Sequence, residues 1–184
     1  MNPYIMIGAP IALVLIFVIA TYNTLVALRN HIKDSWANID TELKRRYELI
    51  PNLVSTVKGY AEHERATLEK VTELRAKCMA NTGPTAEQAF DEKQLVKAMQ
   101  SMMAVVENYP DLKADQQFLE LQKELINTED RIQAARRFFN GNVRDYANKI
   151  QMFPSSIIAS MFSFKPMDYF EVEPVVREAV QVEL

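Results

Sequence analysis

The sequence predicts an all-α protein, an elongated antiparallel helical bundle preceded by one N-terminal transmembrane helix. Three observations carry that expectation. Only four glycines occur in 184 residues, too few for the turns a hairpin-rich sheet needs, while Leu, Ala, Glu, Lys, Gln and Met favour helix. The chain opens on an apolar run with no Asp, Glu, Lys or Arg before Arg29. Beyond it, apolar residues recur at alternating spacings of three and four, the period of a helix with one buried face.

The opening run "PYIMIGAPIALVLIFVIA", Pro3 to Ala20, is followed by uncharged residues to Leu28. A bilayer core about 30 Å thick needs roughly 20 apolar residues at about 1.5 Å each, so the run is long enough to span. Pro10 is tolerable there, because neighbouring groups can satisfy the carbonyl it frees. A cleaved signal peptide is the competing reading, and "MNPY" and "VIATYN" argue against it: the first has no positive charge and the second is a poor cleavage site. The basic residues nearest the run, Arg29, Lys33, Lys44, Arg45 and Arg46, all follow it. The positive-inside rule therefore puts the N-terminus outside and the rest in the cytoplasm, a single-pass inner-membrane topology.

The body, residues 29–153, reads as three long helices. Leu25, Leu28, Ile32, Trp36, Ile39, Leu43, Ile50, Leu53, Val57 and Tyr60 fall on one stripe that continues through Leu68, Val71 and Leu74. This is a coiled-coil-like seam, expected to run unbroken to "NTGPT" at 81–85, where Gly and Pro stop it. A second helix is expected over Ala86–Tyr109, with Phe90, Leu95, Met99, Met102, Val106 and Tyr109 inward. The third is expected over Asp111–Phe153, its stripe running from Phe118 through Leu125, Ile132, Phe139, Val143, Tyr146 and Ile150 to Phe153. Short connections make such neighbours antiparallel. Residues 154–184 form a separate apolar cap and acidic tail.

Three features interrupt the pattern. Stepping by seven from Leu25 through Ile32 and Ile39 lands on Arg46 before returning to Leu53. The preferred expectation is that Arg46 snorkels, stem packed and head in water; the other is that it pairs across the seam and fixes register. Pro51 removes one helical hydrogen bond and is expected either to kink the helix or to serve as a joint for ordered assembly, with the freed carbonyl of Tyr47 taken up by Asn52 or water. Finally "SIIASMFSFKPMDYF", 156–170, is unusually apolar for a chain end, and reads as a cap on the bundle or as a surface that docks on membrane or a neighbouring subunit.

Chemistry is hard to find. Cys78 is the single cysteine, so no intramolecular disulfide or multi-cysteine metal site can form, and it reads as a small apolar residue near a helix end. From Arg29 to Phe164 the chain carries 19 basic and 19 acidic residues. That neutral body lacks the basic clustering that nucleic acid demands. "HERAT", 63–67, starts like the zinc-protease helix motif but has Thr67 where the second histidine belongs. His31 is about 48 Å away along one helix. No phosphate-binding or nucleophile-elbow motif occurs. Catalytic, cofactor and metal sites are expected to be absent.

"SWANIDTELKRRYELIPNLVSTVKGYAEHE" (35–64), "FNGNVRDYANKI" (139–150) and "FPSSIIASMFSFKPMDYF" (153–170) resemble the three blocks of LemA family proteins. Phe139 stands where relatives often carry Tyr. The resemblance implies a bacterial single-pass membrane protein with a cytoplasmic helical bundle and no established catalytic activity, and a magnetosome-membrane relative suggests membrane shaping. The expected role is a non-enzymatic scaffold that self-assembles into homo-oligomers on the lipid bilayer. The alternative is an adaptor presenting the bundle to a membrane-protein partner such as a protease or sensor kinase. Residues singled out for structure and assembly are Trp36, Arg46, Pro51 and Asn52 in the first block, Phe139 and Gly141 in the second, and Phe153, Pro154, Phe162, Phe164 and Phe170 in the third.

Overall fold

The computed structural model describes residues 3–171, with backbone alone for 3–7; beyond Glu171 the acidic tail lies outside the described residues. Among the described residues six α-helices follow in order: α1 Pro3–Tyr60, α2 Arg65–Ala80, α3 Thr85–Val106, α4 Pro110–Lys113, α5 Gln116–Gln151 and α6 Ser155–Met161. A single 3-10 turn, Glu62–Glu64, joins α1 to α2, and no strand occurs among the described residues. The all-α expectation holds.

Local chemistry explains most of the ends. The first long helix was expected to reach Asn81, but it stops at Tyr60, just past Gly59, where Ala61 leaves the helical region at φ −125° and ψ 56°. At "NTGPT" the Asn81 Oδ1 accepts a hydrogen bond from the Gly83 N–H at 2.8 Å, and Pro84 sets the start of α3. The expected third helix is split. Tyr109–Pro110 opens α4, then Asp115 Oδ1 accepts from the Phe118 N–H at 2.8 Å and caps α5. That helix ends at Gln151, and the Phe153–Pro154 peptide is cis.

The helices gather into two compact units. Among the described residues, one comprises 3–40 with Gln133–Asp168, the other Thr41–Ile132 with 169–171. In the first, Leu25, Ile32 and Ile39 of α1 and Phe139, Val143, Tyr146 and Ile150 of α5 are buried. Trp36 lies edge-on to Phe139 at 5.5 Å, and the Asn142 amide donates to the His31 carbonyl at 3.3 Å. Residue numbers rise on one helix as they fall on the other, so the pair is antiparallel.

In the second unit the core is built from Leu43, Ile50, Leu53 and Val57 of α1, Leu68, Val71 and Leu74 of α2, Leu95, Met99, Met102 and Val106 of α3, and Phe118, Leu125 and Ile132 of α5. Three residues expected in the cores of the two units lie outside them, and the first is Tyr60, 43% exposed at the very end of α1. Phe90 is 58% exposed, because the buried face of α3 runs through Ala89, Glu92 and Leu95. Phe153 is 81% exposed, because α5 has already ended.

Pro51 sits on the exposed side of α1 without interrupting it; the chain turns ten residues later, at Ala61. The carbonyl of Tyr47, which a proline at position 51 cannot satisfy, accepts a hydrogen bond from Arg75 Nε of α2 at 2.6 Å. The donor is Arg75 rather than the expected Asn52, which is exposed and whose own carbonyl accepts from Thr56 Oγ1 at 2.9 Å. The proline thus exposes an acceptor that ties α1 to α2. Arg75→Leu is expected to cost about 1–2 kcal/mol by leaving that carbonyl unpaired. In a Pro51→Ala background, where the helix supplies its own donor, the cost should fall by more than half. Denaturant unfolding of the four proteins in detergent measures the coupling, and equal costs in both backgrounds would refute it.

Candidate functional site

The largest fully buried side chain among the described residues is Arg46, 1% exposed. Its head is not in water, so the snorkelling expectation is wrong. The reason is the stripe itself: position 46 sits one heptad after Ile39 and one before Leu53, both fully buried, and a guanidinium there is covered by the helices packed on α1. Glu92 of α3 pairs with Arg46 Nη2, and Glu129 of α5 accepts from Arg46 Nη1 through both oxygens, at 3.0 and 3.2 Å. The hydroxyl of Tyr47 donates to the other oxygen of Glu92. One cation thus faces two carboxylates, of which Glu92 is buried and Glu129 reaches solvent.

A second buried acid adjoins this cluster in sequence. Asp91 accepts from Lys77 Nζ and from the Asn81 side-chain amide, each at 2.8 Å. Burial pushes its carboxyl up, but the Lys77 and Asn81 hydrogen bonds outweigh that and hold it below the usual range. Cys78, on the buried face of α2, has its thiol pushed up to about 11 by burial, against the opposing pull of the Arg46 charge. At neutral pH that thiol is protonated and covered, the opposite of a reactive cysteine.

Arg46, Glu92 and Tyr47 engage one another through Arg46 Nη2 and the Tyr47 hydroxyl, while the buried Arg46 Nε makes no hydrogen bond. No group of three His, Cys, Asp or Glu among the described residues could hold a metal ion. A groove of about 540 Å³ runs along the turn between α1 and α2, lined by Val54, Lys58, Glu62, Arg65, Leu68 and Glu69. Two of its charged groups, Arg65 and Glu69, form an exposed pair at helical spacing, Arg65 Nε lying 2.7 Å from the Glu69 carboxylate.

The first unit holds the other cluster. Tyr22 packs edge-on against Phe162 at 4.8 Å and Phe164 at 5.7 Å, and the Arg29 guanidinium lies 5.4 Å from the centre of the Phe164 ring. Of the residues singled out in the sequence, the structure brings together Trp36 with Phe139, and Phe162 with Phe164. Gly141 is half-buried, and a Cβ there would meet nothing within 4 Å. Pro154 is exposed, and Phe170 is buried in the second unit's own core. The sequence alone does not single out Glu92, Glu129 or Arg75, nor the hydroxyl of Tyr47, whose carbonyl it does bring forward. The signal for the first two was the buried cation, which had to be met by acids on the core faces of other helices.

The LemA family profile matches residues 35–184. Protein LemA of Metamycoplasma hominis is 26% identical, over 84% of this chain and 71% of its own. Magnetosome protein MamQ of Magnetospirillum gryphiswaldense is 23% identical over 83% of this chain, and magnetosome protein MamQ 2 of Paramagnetospirillum magneticum is 24% identical over the same share. The match spans 65% of the length of each magnetosome protein.

Removing Glu92 strands a buried guanidinium, so Glu92→Leu is expected to destabilise by about 3–5 kcal/mol. Arg46→Leu with Glu92→Leu should recover most of that, measured by denaturant unfolding. Asp91 supplies the pH test. A carboxyl held low in the folded chain adds stability above its unfolded pKa and loses it as pH falls towards the folded value. The melting temperature should therefore drop more steeply below pH 5 in the wild type than in Asp91→Asn.

Proposed function

Because this chain belongs to the LemA family, and because α1 carries an apolar run that the protein itself leaves uncovered, we propose that it is a non-enzymatic membrane scaffold. A single-pass anchor holds the helical body at the inner membrane, N-terminus outside and body in the cytoplasm. Copies associate laterally to organise or shape the bilayer.

The uncovered run is the observation that supports this most. Leu13 and Ile16 are 68% and 63% exposed, with Ile11, Leu15 and Ile19 alongside them, whereas Leu25 in the same helix is fully buried. α1 is one helix long and apolar enough to cross a membrane. Side chains apolar on every side of a helix cannot be left in water over such a length, and lipid is the medium that suits them. Relatives that are magnetosome proteins fit a role at a membrane. Once anchored, the copies are confined to two dimensions, where weak contacts gain from high effective concentration. Rings or open arrays then follow from whether the contact geometry closes.

An adaptor function has one feature in its favour. Phe90 is exposed beside a hollow of about 670 Å³ lined by Lys77, Ala80, Asn81, Ala86, Glu87 and Asp91, a surface that a membrane-protein partner could occupy. Particle size separates the two roles. In detergent or nanodiscs, light scattering and negative stain are expected to show large regular particles. Monomers or dimers that co-purify with a stoichiometric partner would overturn the scaffold in favour of the adaptor. Protease treatment of spheroplasts checks topology, with the body expected to be protected until the inner membrane is opened.

A further inference from the structure

The geometry points to a second membrane contact beside the anchor: the segment from Met152 to Phe162, including α6, lies on the bilayer surface. This rests on the anchoring of α1 and adds to it.

The segment is exposed and apolar in a way that its own packing does not explain. α6 turns Ile158 and Ala159 inward, while Ile157 and Met161, one helical turn apart, face out with Met161 66% exposed. Met152, Phe153 and Phe162 are exposed as well. No charged residue occurs from Met152 to Phe164, and a lysine stands on each side, Lys149 and Lys165. A protein partner does not require that arrangement. An interfacial element does: apolar side chains enter the acyl boundary while flanking lysines reach the headgroups.

Two independent placements set its depth. The pairs Trp36 with Phe139 and His31 with Asn142 fix the antiparallel register of α1 and α5. Carried along at equal rise, that register brings Gln151 level with the turn around Tyr22 to Thr24, where the apolar run of α1 ends. At its other end the segment returns to the same level, because Phe162 and Phe164 both contact Tyr22. Ser163, at φ 55° in the left-handed region that non-glycine residues rarely adopt, turns the chain so that both rings reach Tyr22. Tyr22, Phe162 and Phe164 with Arg29 thus form the mixed aromatic and basic belt that marks a membrane–water boundary, and the exposed face of α6 lies at that boundary.

The single tryptophan makes this measurable. Trp36 lies 14 residues beyond Tyr22, about 21 Å further along α1. The full chain is reconstituted in phosphatidylcholine–phosphatidylglycerol vesicles, with and without bromine-labelled acyl chains. Two variants are compared with the wild type: Trp36→Phe with Phe153→Trp, and Trp36→Phe with Met161→Trp. In both, the introduced indole is expected to lose most of its emission to the brominated lipid and to be blue-shifted, while Trp36 of the wild type keeps its emission. Vesicle-bound protein in which neither introduced indole is quenched overturns the contact but leaves the anchor standing. Unquenched, blue-shifted emission that reverts when protein is diluted among vesicles also overturns it, and assigns the face to a second copy. Failure of all three proteins to float with vesicles overturns both.

Discussion

A guanidinium inside a helical core has to be met by acids, and in this protein that requirement ties three helices together. Arg46 of α1 can be buried only if Glu92 of α3 and Glu129 of α5 arrive at its level. Leu25, Ile32, Ile39 and Leu53 stand in the same heptad position and are all buried, yet any of them would tolerate a neighbouring helix shifted by a turn. Arg46 would not, because a shifted neighbour leaves a charge without its partner. Such pairs add little net stability over apolar packing. What Arg46 gives the second unit is a defined alignment of the helices around it. Tyr47 extends the constraint by engaging the second oxygen of Glu92, which fixes the carboxylate's orientation as well as its height.

Pro51 applies the same logic to the backbone. Within a long helix nearly every carbonyl is already used, so a neighbouring helix has little to bond to except side chains. By removing one N–H, the proline leaves the Tyr47 carbonyl available, and Arg75 takes it. Tyr47 therefore contributes to two inter-helix ties, its hydroxyl to α3 and its carbonyl to α2. An apparent defect one turn from Arg46 becomes part of the device that aligns the same unit.

How legible was this in the sequence? The stripes were, because burial on one face of a helix imposes its period directly: nearly every residue assigned to them from Leu25 to Val57 and from Phe118 to Ile150 is buried or half-buried. "NTGPT" was legible for its turn chemistry. The break at Ala61 was not. Pro51 offered a stronger local signal than Gly59, but a solvent-facing proline whose orphan carbonyl finds a partner need not end a helix. Phe90 misled because its size outweighed its phase; the correct phase passes through Glu92, which looks like surface until Arg46 supplies a reason to bury it. At the charge cluster the sequence revealed the anomaly without its resolution, since which acids meet Arg46 depends on packing between residues 46 and 83 positions apart.

The same helix that holds Arg46 also shows where one covering gives way to another. Along α1, Leu13 to Ile16 and Ile19 are more than half exposed, then Thr21 and Leu25 are buried within two turns. Tyr22 sits at that change and is the residue to which Phe162 and Phe164 return. If lipid covers the run before it and α5 covers the stripe after it, the boundary needs side chains that tolerate both media. Aromatic rings and a stacked arginine do, because each has an apolar body and a polar or polarisable face. The aromatic character of the third sequence block thus has a physical cause apart from core packing. Phe170 belongs to a core, whereas Phe162 and Phe164 pack on Tyr22, where the exposed run of α1 gives way to its buried stripe.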